Sequence, residues 1–443
     1  MNSEKQSTNL QMILREVNRV GEVQKNVPKL RFKGYEDNWK HSELGEVLSE
    51  LYNGQTPSRF REENWNGDIN WLTSGELNRD IVYKTIEKIT RIGQVDANLR
   101  IVPEGIFVMA ITGLEAAGTR GNCAILGIPT TLNQSCMALF PKENILFTGF
   151  LFQWYKKNGE KYGLVYTQGT KQRSYNAELI KKLPIAFPVY NEQKKISIIL
   201  RSLDHYLTLY QNRIEELQKM KKTLLLKMFP KNGEAVPEIR FKGFTDAWEQ
   251  RKLDCTNTVF TDGNYGESYP KPSDMTDSIS GVPFLTGGNL RDGKLSINGA
   301  SYITLDKHLE LTSGHLEEDD IVIAVRGSLG ALGYVNYNNA GWNINSQLAI
   351  LRTNKNELYG AFLIQYLLSQ DGQNELLKRQ TGSALKQLPI KSLKDLKVPI
   401  SSVDEQKEIA NFLSQLDNRI TLHQRKLDEL KNMKKTLLQQ MFV

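Results

Sequence analysis

The feature that most constrains the fold of this chain is a segment that occurs twice. Residues 191–229 and 404–442, aligned without gaps, share 20 identities in 39 positions, at a constant offset of 213 residues (405 − 192). A shorter match opens each half, because residues 28–35 resemble residues 237–244 at an offset of 209 (237 − 28). The repeating unit is therefore a globular domain followed by a long segment. An internal repeat of this size has to be explained before any single motif.

Both copies of the repeated segment have the pattern of one long helix. Their apolar residues alternate at spacings of four and three, which is the heptad seam of a coiled coil. Only Lys221, its counterpart Lys434 and His423 interrupt that seam, and neither copy contains Pro or Gly. A helix of about 35 residues is roughly 50 Å long and cannot bury such a seam alone. We therefore expect the two copies to pair as an antiparallel coiled coil. The alternative is two separate helices, each packed on its own globular domain.

Composition places the chain among ordinary globular proteins with a basic excess. It has 443 residues, 40% of them hydrophobic and 24% charged, with a formal net charge of +7. This length predicts two domains plus connectors, and the charge suits a polyanionic partner. Cys123, Cys136 and Cys255 are odd in number and lack CxxC spacing, which argues against a disulfide framework or a structural zinc site. No apolar run approaches about 18 residues, so we expect a soluble, cytoplasmic protein.

The repeat also predicts the domain boundaries. We expect an N-terminal extension at 1–27, a first domain at 28–190, a central helix at 191–230, a second domain at 231–403 and a C-terminal helix at 404–443.

Short apolar runs punctuated by Gly, Asn and Pro predict strands within both domains. Each domain also holds one candidate helix, at roughly 146–157 and 356–370. The predicted class is α+β with a twisted, mostly antiparallel sheet. The extension carries one weak helical stripe, from Leu10 to Val20, and is read as a loosely attached tail. A helix that docks on the coiled coil or on a partner is the alternative.

The sequence contains none of the catalytic motifs that would make it an enzyme. We find no GxxxxGK[ST] phosphate loop, no HExxH and no GxSxG. A Gly-rich cofactor loop between a strand and a helix is also missing, as is the Asn/Asp-Pro-Pro-aromatic tetrapeptide of amino-methyltransferases. His308 and His315 lie seven residues apart in a polar stretch, which is weak evidence for a metal pair. The chain is therefore predicted to bind rather than to catalyse.

Three pairs of loops, matched between the two halves, are the candidate binding elements. They are 54–61 with 262–271, 113–120 with 326–330, and 169–173 with 382–387. Arg and Lys pair with guanine edges or phosphates, and Gln and Asn pair with adenine edges. The alternative for each residue is a solvated loop without a ligand. The candidate DNA-contacting residues are Gln55, Arg59, Arg61, Arg120, Lys171 and Arg173 in the first domain, and Asn264, Tyr265, Tyr269, Lys271, Arg326, Ser328 and Lys386 in the second.

In its motifs and their order, the chain resembles the DNA-specificity subunit of type I restriction-modification systems from Pro28 to the C-terminus. Four features, most of them present in both halves, carry the resemblance. They are the Arg-Phe-Lys-Gly motifs at 31–34 and 240–243, the loop at 54–58 with Trp71-Leu72-Thr73 downstream, the Glu-Gln domain exits at 185–193 and 398–406, and the Lys-Lys-Thr-Leu-Leu helix ends at 221–225 and 434–438. Each motif is weak alone, and their order makes the set specific. The stretch 1–27 is longer than this pattern leads us to expect.

The resemblance implies a division of labour between several chains. Two α/β target-recognition domains would each read one half of a split site on double-stranded DNA. Two long helices would separate them, with a pseudo-two-fold axis relating the halves. Two copies of a modification subunit would methylate adenine N6 from S-adenosylmethionine, and restriction subunits would add ATP-driven translocation and cleavage. S-adenosylmethionine, ATP and Mg²⁺ are thus expected on partner subunits, and no cofactor on this chain.

The resemblance and the helix length together predict a molecular ruler. With recognition domains at opposite ends of a rod of about 50 Å, the half-sites would lie between one and two turns of B-DNA apart, at about 34 Å per turn. Two other classes of function remain open from the residues alone. One is a stand-alone DNA-binding regulator of a split operator, and the other is a coiled-coil scaffold whose basic charge is incidental.

Overall fold

The computed structural model describes residues 17–19, 26–116, 118–169, 173–231, 234–382 and 386–443. The chain divides into two compact units. The first comprises residues 1–210 with 426–443, and the second comprises residues 211–425. Each unit therefore holds one globular domain with part of each of the two long helices. Within the described ranges, no helix combines the length and apolar character needed to cross a membrane.

The first unit is built on a five-stranded sheet covered by a helix. Its strand order is β4-β11-β8-β9-β6, antiparallel except for the parallel pair β6 and β9, and a three-stranded sheet of order β10-β5-β7 adjoins it in sequence. Phe150 and Leu151 of helix α2 are fully buried in the core of this unit. The elements are β1 (Val17–Arg19), β2 (Leu30–Phe32), β3 (Lys40–Glu43), β4 (Leu48–Asn53), β5 (Trp65–Leu72), β6 (Ile81–Val82), β7 (Glu87–Ile89), α1 (Arg91–Asp96), β8 (Phe107–Ala110), β9 (Cys123–Leu126), β10 (Thr131–Leu132), β11 (Cys136–Pro141), α2 (Thr148–Val165), α3 (Ala177–Lys181), β12 (Pro184–Phe187) and α4 (Tyr190–Lys227).

The second unit repeats this plan with one more strand in each of these two sheets. A six-stranded sheet has the order β14-β23-β20-β21-β18-β17, and a four-stranded sheet has the order β15-β19-β16-β22. The elements are β13 (Glu249–Lys252), β14 (Val259–Asp262), β15 (Met275–Thr276), β16 (Val282–Leu285), β17 (Leu290–Arg291), β18 (Gly293–Leu295), β19 (Ser301–Ile303), α5 (Leu305–Glu310), β20 (Ile321–Ala324), β21 (Leu332–Tyr334), β22 (Asn343–Ile344), β23 (Leu348–Arg352), α6 (Gly360–Leu368), α7 (Gln370–Leu377), α8 (Ile390–Lys394), β24 (Lys397–Ile400) and α9 (Val403–Gln440).

The two repeated segments form helices of 38 residues each, α4 and α9, which confirms the helical prediction. Their paired segments run antiparallel. In the second unit Lys221 contacts Asp417, and residues 225–229 share a hydrophobic cluster with residues 409–413. Residue numbers thus fall along one helix as they rise along the other. The mixed α and β content and the mostly antiparallel sheets also agree with the predicted class.

The N-terminal extension departs from its weak helical pattern. Val17–Arg19 form a strand that pairs antiparallel with Leu30–Phe32, with Val17 opposite Phe32. A strand replaces the helical turn because the neighbouring strand offers an open row of backbone donors and acceptors, and such an edge readily pairs with an extended segment. The rest of the stripe, including Leu10, lies outside the described residues.

Two contacts, which recur in both units, fix the start of each long helix to its own domain. The first is made by a buried glutamine. Gln193 donates from Nε2 to the carbonyls of Ile145 and Pro188 and accepts from the amide of Phe147 through Oε1, with all three distances at 2.8 Å. Gln406 makes the equivalent three bonds in the second unit. Both glutamines are fully buried. They therefore satisfy loop carbonyls and amides that would otherwise lack partners in the core.

The second contact is a buried ion pair next to each glutamine. Arg31 donates to both carboxylate oxygens of Glu192 at 2.9 Å, and Arg240 donates likewise to Glu405 at 2.6 and 2.8 Å. The planar guanidinium matches the carboxylate with two parallel hydrogen bonds, which fixes orientation as well as distance. The Arg-Phe-Lys-Gly motifs and the Glu-Gln exits are therefore two halves of one contact.

Candidate nucleic-acid interface

In the first unit, the predicted loops leave the sheet at one end. β4 ends and β11 begins at the same level, because Asn53 pairs with Met137, and β8 ends there too, because Ala110 pairs with Cys136. The loops 54–64, 111–122 and 133–135 therefore emerge side by side. The segment around 173–175 joins them, since the amide of Tyr175 donates to the carbonyl of Ile111 at 2.8 Å.

The second unit places its own loops in the same way. Asp262 at the end of β14 pairs with Ala349, and Ala324 at the end of β20 pairs with Leu348. The loops 263–271, 325–331 and 345–347 consequently share one end of the six-stranded sheet. Isolated bridges from Gln387 to Arg326 and to Thr381 add residues 381 and 387 to the group. Backbone geometry thus assembles the first two pairs of matched loops, together with residues 173 and 387 of the third pair, into one surface in each unit.

A glycine at the base of the first loop allows this close assembly in both units. A Cβ at Gly54 would lie 1.9 Å from the carbonyl oxygen of Leu132, and a Cβ at Gly263 would lie 2.3 Å from that of Asn345. Both contacts are with backbone, which cannot move aside as a flexible side chain would. Only glycine lets the two backbone segments approach each other this closely.

Two tryptophans support the loop 54–61 from below. Trp65 donates from Nε1 to the carbonyl of Ser58, and Trp71 donates to that of Gln55, both at 3.1 Å. The Arg59 guanidinium lies 3.7 Å from the ring centroid of Trp65 and is bound by both carboxylate oxygens of Glu87. This hydrogen-bonded pair raises the pKa of Arg59 and lowers that of Glu87. The loop is therefore held in one conformation before any ligand arrives.

The tip of that loop carries a residue that the candidate set lacks. Phe60 is 100% exposed, between Arg59 and Arg61. Arg61 is also exposed and pairs with Asp96 at 2.7 Å. An aromatic ring that is held in water by a rigid loop, with a cation on each side, has the form of a base-stacking or wedging group. The sequence signal was an aromatic between two arginines in a Gly/Pro loop, but exposure had to come from the structure.

Tyr265 and Arg326 form the centre of the second surface. The Arg326 guanidinium lies 5.5 Å from the Tyr265 ring centroid, and the Tyr265 hydroxyl donates to the carbonyl of Ser346 at 2.9 Å. Three different loops therefore meet at one tyrosine. Lys271, Ser328 and Lys386 are exposed, as is Gln55 in the first unit. Tyr269 is only half-exposed, because its ring packs edge-on against Phe284.

Two candidate residues turn inward, and the structure removes them from the contact set. Arg120 is 8% exposed and donates to Glu160 at 2.8 Å and to the carbonyl of Glu115 at 2.9 Å. Asn264 is 7% exposed and donates to the carbonyl of Ser313 at 2.7 Å. Both side chains stabilise the backbone of a loop. An Arg or Asn in a loop can do this or contact DNA, and the residue type alone does not tell which.

Two further candidates have a different status. Arg173 is half-buried and donates to the carbonyl of Leu164 at 2.8 Å, so only part of its guanidinium is available. Lys171 lies outside the described residues.

Two cysteines and a pair of histidines outside the loops are buried or engaged. Burial raises the pKa of Cys123 to about 12 and raises that of Cys136 as well, so neither is a thiolate near neutral pH. The His308 and His315 rings lie 4.7 Å apart and contact the Asn343 side chain and the Leu311 carbonyl. No group of three or more His, Cys, Asp or Glu residues is placed to hold a metal in the part of the chain that the structure describes.

Comparison with known families gives a match over most of the chain. The model of the type I restriction modification DNA specificity domain matches residues 36–219 and again 280–432. The matched ranges contain the candidate loops of the first unit and those of the second from residue 280 on, but not the loop at 262–271, together with most of the two long helices.

Individual proteins agree with this match. A putative type I restriction enzyme MjaX specificity subunit from Methanocaldococcus jannaschii is 26% identical over 426 residues, covering 94% of this chain and 95% of its own. The MjaVIII specificity subunit of the same organism is 23% identical over 412 residues, covering 91% of each. The crystal structure of a type I restriction-modification S subunit from M. genitalium superposes with a TM-score of 0.62 at 17% identity, covering 94% of this chain and 99% of that one.

Proposed function

The chain belongs to the type I restriction-modification DNA specificity family, and on this premise we propose that each globular domain reads one half of a bipartite DNA site. Members of this family are the DNA sequence-recognition subunits of type I restriction-modification complexes and are not themselves catalytic. The regulator of a split operator gains no support from the comparisons.

One observation carries the half-site proposal. Both domains gather three matched loops at one end of the sheet, with the same backbone register beneath them. The scaffolds correspond, but the residues on the loops differ, with Arg59 and Arg61 in one domain and Tyr265 and Arg326 in the other. A shared frame with different side chains is the arrangement that reads two different sequences.

Residues on these loops divide into two roles. Arg61, Lys271 and Lys386 are exposed cations and would bind phosphates, which gives affinity without sequence information. Gln55, Arg59, Arg326 and Ser328 have the polar groups that read base edges in the major groove. Tyr265 and Phe60 offer aromatic faces for stacking against a base or sugar.

Catalysis is assigned to partner chains. We propose that two copies of a modification subunit assemble with this chain on double-stranded DNA, and that restriction and translocase subunits join them. S-adenosylmethionine, ATP and Mg²⁺ would be bound by those partners, which is supported by the missing phosphate and cofactor motifs in this sequence. The complex would work in the cytoplasm, where the cell's DNA is found.

Long-read methylome sequencing tests the function as a whole. Cells that express the modification subunit with this chain are compared with cells that express the modification subunit alone. We expect methylated adenines in one bipartite motif with a fixed spacer, and we expect them only when this chain is present. A continuous motif, or methylation that does not depend on this chain, would contradict the proposal.

A further inference from the structure

Two of the three polar interruptions of the heptad seam, Lys221 and Lys434, are explained by two largely buried ion pairs. The Lys221 Nζ lies 2.6 and 2.8 Å from the carboxylate oxygens of Asp417, and the Lys434 Nζ contacts Asp204. All four side chains are between 14% and 19% exposed. Each pair joins one long helix to the other within a single unit.

Each aspartate is also bound to the domain of its own unit. Gln365 on α6 donates to Asp417 at 3.1 Å, and Gln153 on α2 donates to Asp204 at 3.3 Å. Lys156 adds a second cation to Asp204 at 3.0 Å. The contact therefore fixes three elements at once: both long helices and a helix of the globular domain.

The two ion pairs fit the same register of α4 and α9. The residue numbers sum to 638 in both cases (221 + 417 and 204 + 434), although the pairs belong to different units. A constant sum is the condition for a single antiparallel register.

Apolar residues alone would specify this register poorly. The seam repeats every seven residues, so a slip of one heptad changes the sum to 645 or 631 and places apolar residues on apolar residues again. The ion pairs respond differently, because a slip separates Lys221 from Asp417 and Lys434 from Asp204. Asp417 would keep only the neutral Gln365, and Lys434 would lose its carboxylate, whereas Asp204 would keep Lys156. The aspartates would move from lysine to the following residues: Met228 or Ile214 for Asp417, and Met441 or Leu427 for Asp204.

We propose that the Lys221–Asp417 and Lys434–Asp204 pairs set the register of the two long helices, and thereby the number of base pairs between the half-sites. The register itself follows from contacts within the chain. Its consequence for the spacer rests on the function proposed above. These residues are positioning residues that act through the helices rather than by touching DNA.

A rival determinant lies at the ends of the helices. Phe229 packs against Trp248 and Phe362, and Phe442 packs against Trp39 and Phe150. A slip would pull both rings out of these clusters. Under this rival hypothesis, the packing of the two rings sets the register, and the ion pairs form in that register without determining it.

Two variants separate the pairs from the aromatic ends. The apolar variant replaces each ion pair with leucines, and Lys156→Met avoids leaving a lysine without its carboxylate. The aromatic variant truncates both end rings and keeps the ion pairs. The substitutions are Lys221→Leu, Asp417→Leu, Lys434→Leu, Asp204→Leu and Lys156→Met in the apolar variant, and Phe229→Ala with Phe442→Ala in the aromatic variant.

Spin labels report the register without any DNA. Thr223 and Gln415 are exposed positions at the same level of the two helices, since their numbers also sum to 638, and both lie in the second unit. Cys255 is exposed and is changed to Ser, whereas Cys123 and Cys136 are buried and remain unlabelled. Double electron–electron resonance then gives the distance distribution between labels at 223 and 415.

We expect one distance in the wild type and in the aromatic variant. The apolar variant should keep or raise the urea midpoint, since well-packed apolar residues often replace a buried pair without loss of stability. It should nevertheless show a second distance in more than about a tenth of molecules, a population that such a label resolves. A single wild-type distance in the apolar variant would overturn the proposal, as would a second distance in the aromatic variant alone.

Methylome sequencing of the apolar variant tests the consequence for DNA separately. A second spacer length, about three base pairs from the first, is expected beside the original one, because seven residues at about 1.5 Å span about three steps of 3.4 Å. Mixed distances with one unchanged spacer would leave the register assignment intact and would overturn its link to the spacer.

Discussion

Phe60 is the residue whose environment most directly suggests contact with a ligand, since its ring is fully exposed on a loop fixed by Trp65 and Trp71. Phe60→Ala should leave stability within about 0.5 kcal/mol, because no packing is lost. It should raise the Kd of the assembled complex for its site on the order of tenfold, the typical effect of removing one stacked aromatic. Fluorescence anisotropy with a labelled duplex measures this change.

Tyr337 is the matched control for Phe60. It is 81% exposed but follows β21, at the opposite end of its sheet from the loops 263–271 and 325–331. Tyr337→Ala should therefore leave the Kd unchanged. Equal losses for both variants would show that exposed aromatics affect the complex in some other way than through the loops.

Asp204 predicts a dependence of stability on pH. Burial opposes ionisation of this carboxyl, but Lys156 and Lys434 prevail, and its pKa lies below its ordinary value. A carboxyl with a lowered folded-state pKa adds stability above its unfolded pKa, and that stability is lost as the pH falls through the folded value. Asp204→Asn should cost about 3 kcal/mol at pH 7, the usual result of removing one partner of a buried pair.

The difference between Asp204→Asn and the wild type should shrink as the pH is lowered from 7 to 3. Urea titrations at each pH, followed by tryptophan fluorescence, measure the difference. A difference in the free energy of unfolding that stays constant or grows towards low pH would contradict a stabilising role for the ion pair. Gln153→Ala removes a neutral donor to the same carboxylate, so its cost should depend less on pH.

At the residue scale the sequence predicted which types of side chain the loops carry better than whether each side chain is exposed or buried. It identified Arg59 and Arg120 as equivalent candidates, since both are arginines in Gly-containing loops. The structure exposes the first and buries the second against Glu160. Charge and loop composition are legible in a sequence, but a partner 40 residues away is not. Lys221 shows the same limit, because it appeared only as a defect in a heptad pattern until Asp417 was found beside it.

Among elements, the two long helices carry the clearest prediction. Seven residues inserted between Asn212 and Arg213, together with seven between Arg425 and Lys426, keep the heptad pattern and preserve both ion pairs, since 212 + 426 and 213 + 425 equal 638. The helices lengthen by about 10 Å, and the preferred spacer should grow by about three base pairs. Methylome sequencing reads both the spacer and the half-sites.

An insertion in one helix alone is the control for the paired insertion. It forces one ion pair out of register and should abolish methylation rather than change the spacer. Altered half-sites together with a fixed spacer in the paired insertion would end the ruler hypothesis.

Elements with strong periodicity were the predictable ones. The period of 3.5 residues located both long helices, although α4 begins at Tyr190 and α9 at Val403, each one residue before the predicted start. For α9 the cap is the Ser402 hydroxyl, which accepts from the Glu405 amide at 3.4 Å. Two-residue strands such as β6 and β22 could not be predicted from the sequence, because two residues show no periodicity. Such a strand is defined only by its hydrogen bonds to the neighbouring strand.

On the scale of the whole molecule, duplication gives each half of the proposed bipartite site a separate reading surface. Each unit has its own core and its own three loops, and the buried Arg–Glu pair and glutamine recur in both. This duplication was visible in the sequence as a constant offset. The boundary of each unit was not, because a unit combines the beginning of one long helix with the end of the other.

The proposed function requires two loop surfaces that read DNA independently, and methylome sequencing of two single variants tests this directly. Arg59→Ala alters the surface of the first unit, and Arg326→Ala alters that of the second. We predict that each variant relaxes base preference in one half-site, a different half for each, with the other half and the spacer unchanged. If both variants relaxed the same half-site, or if either changed the spacer, the account would be contradicted.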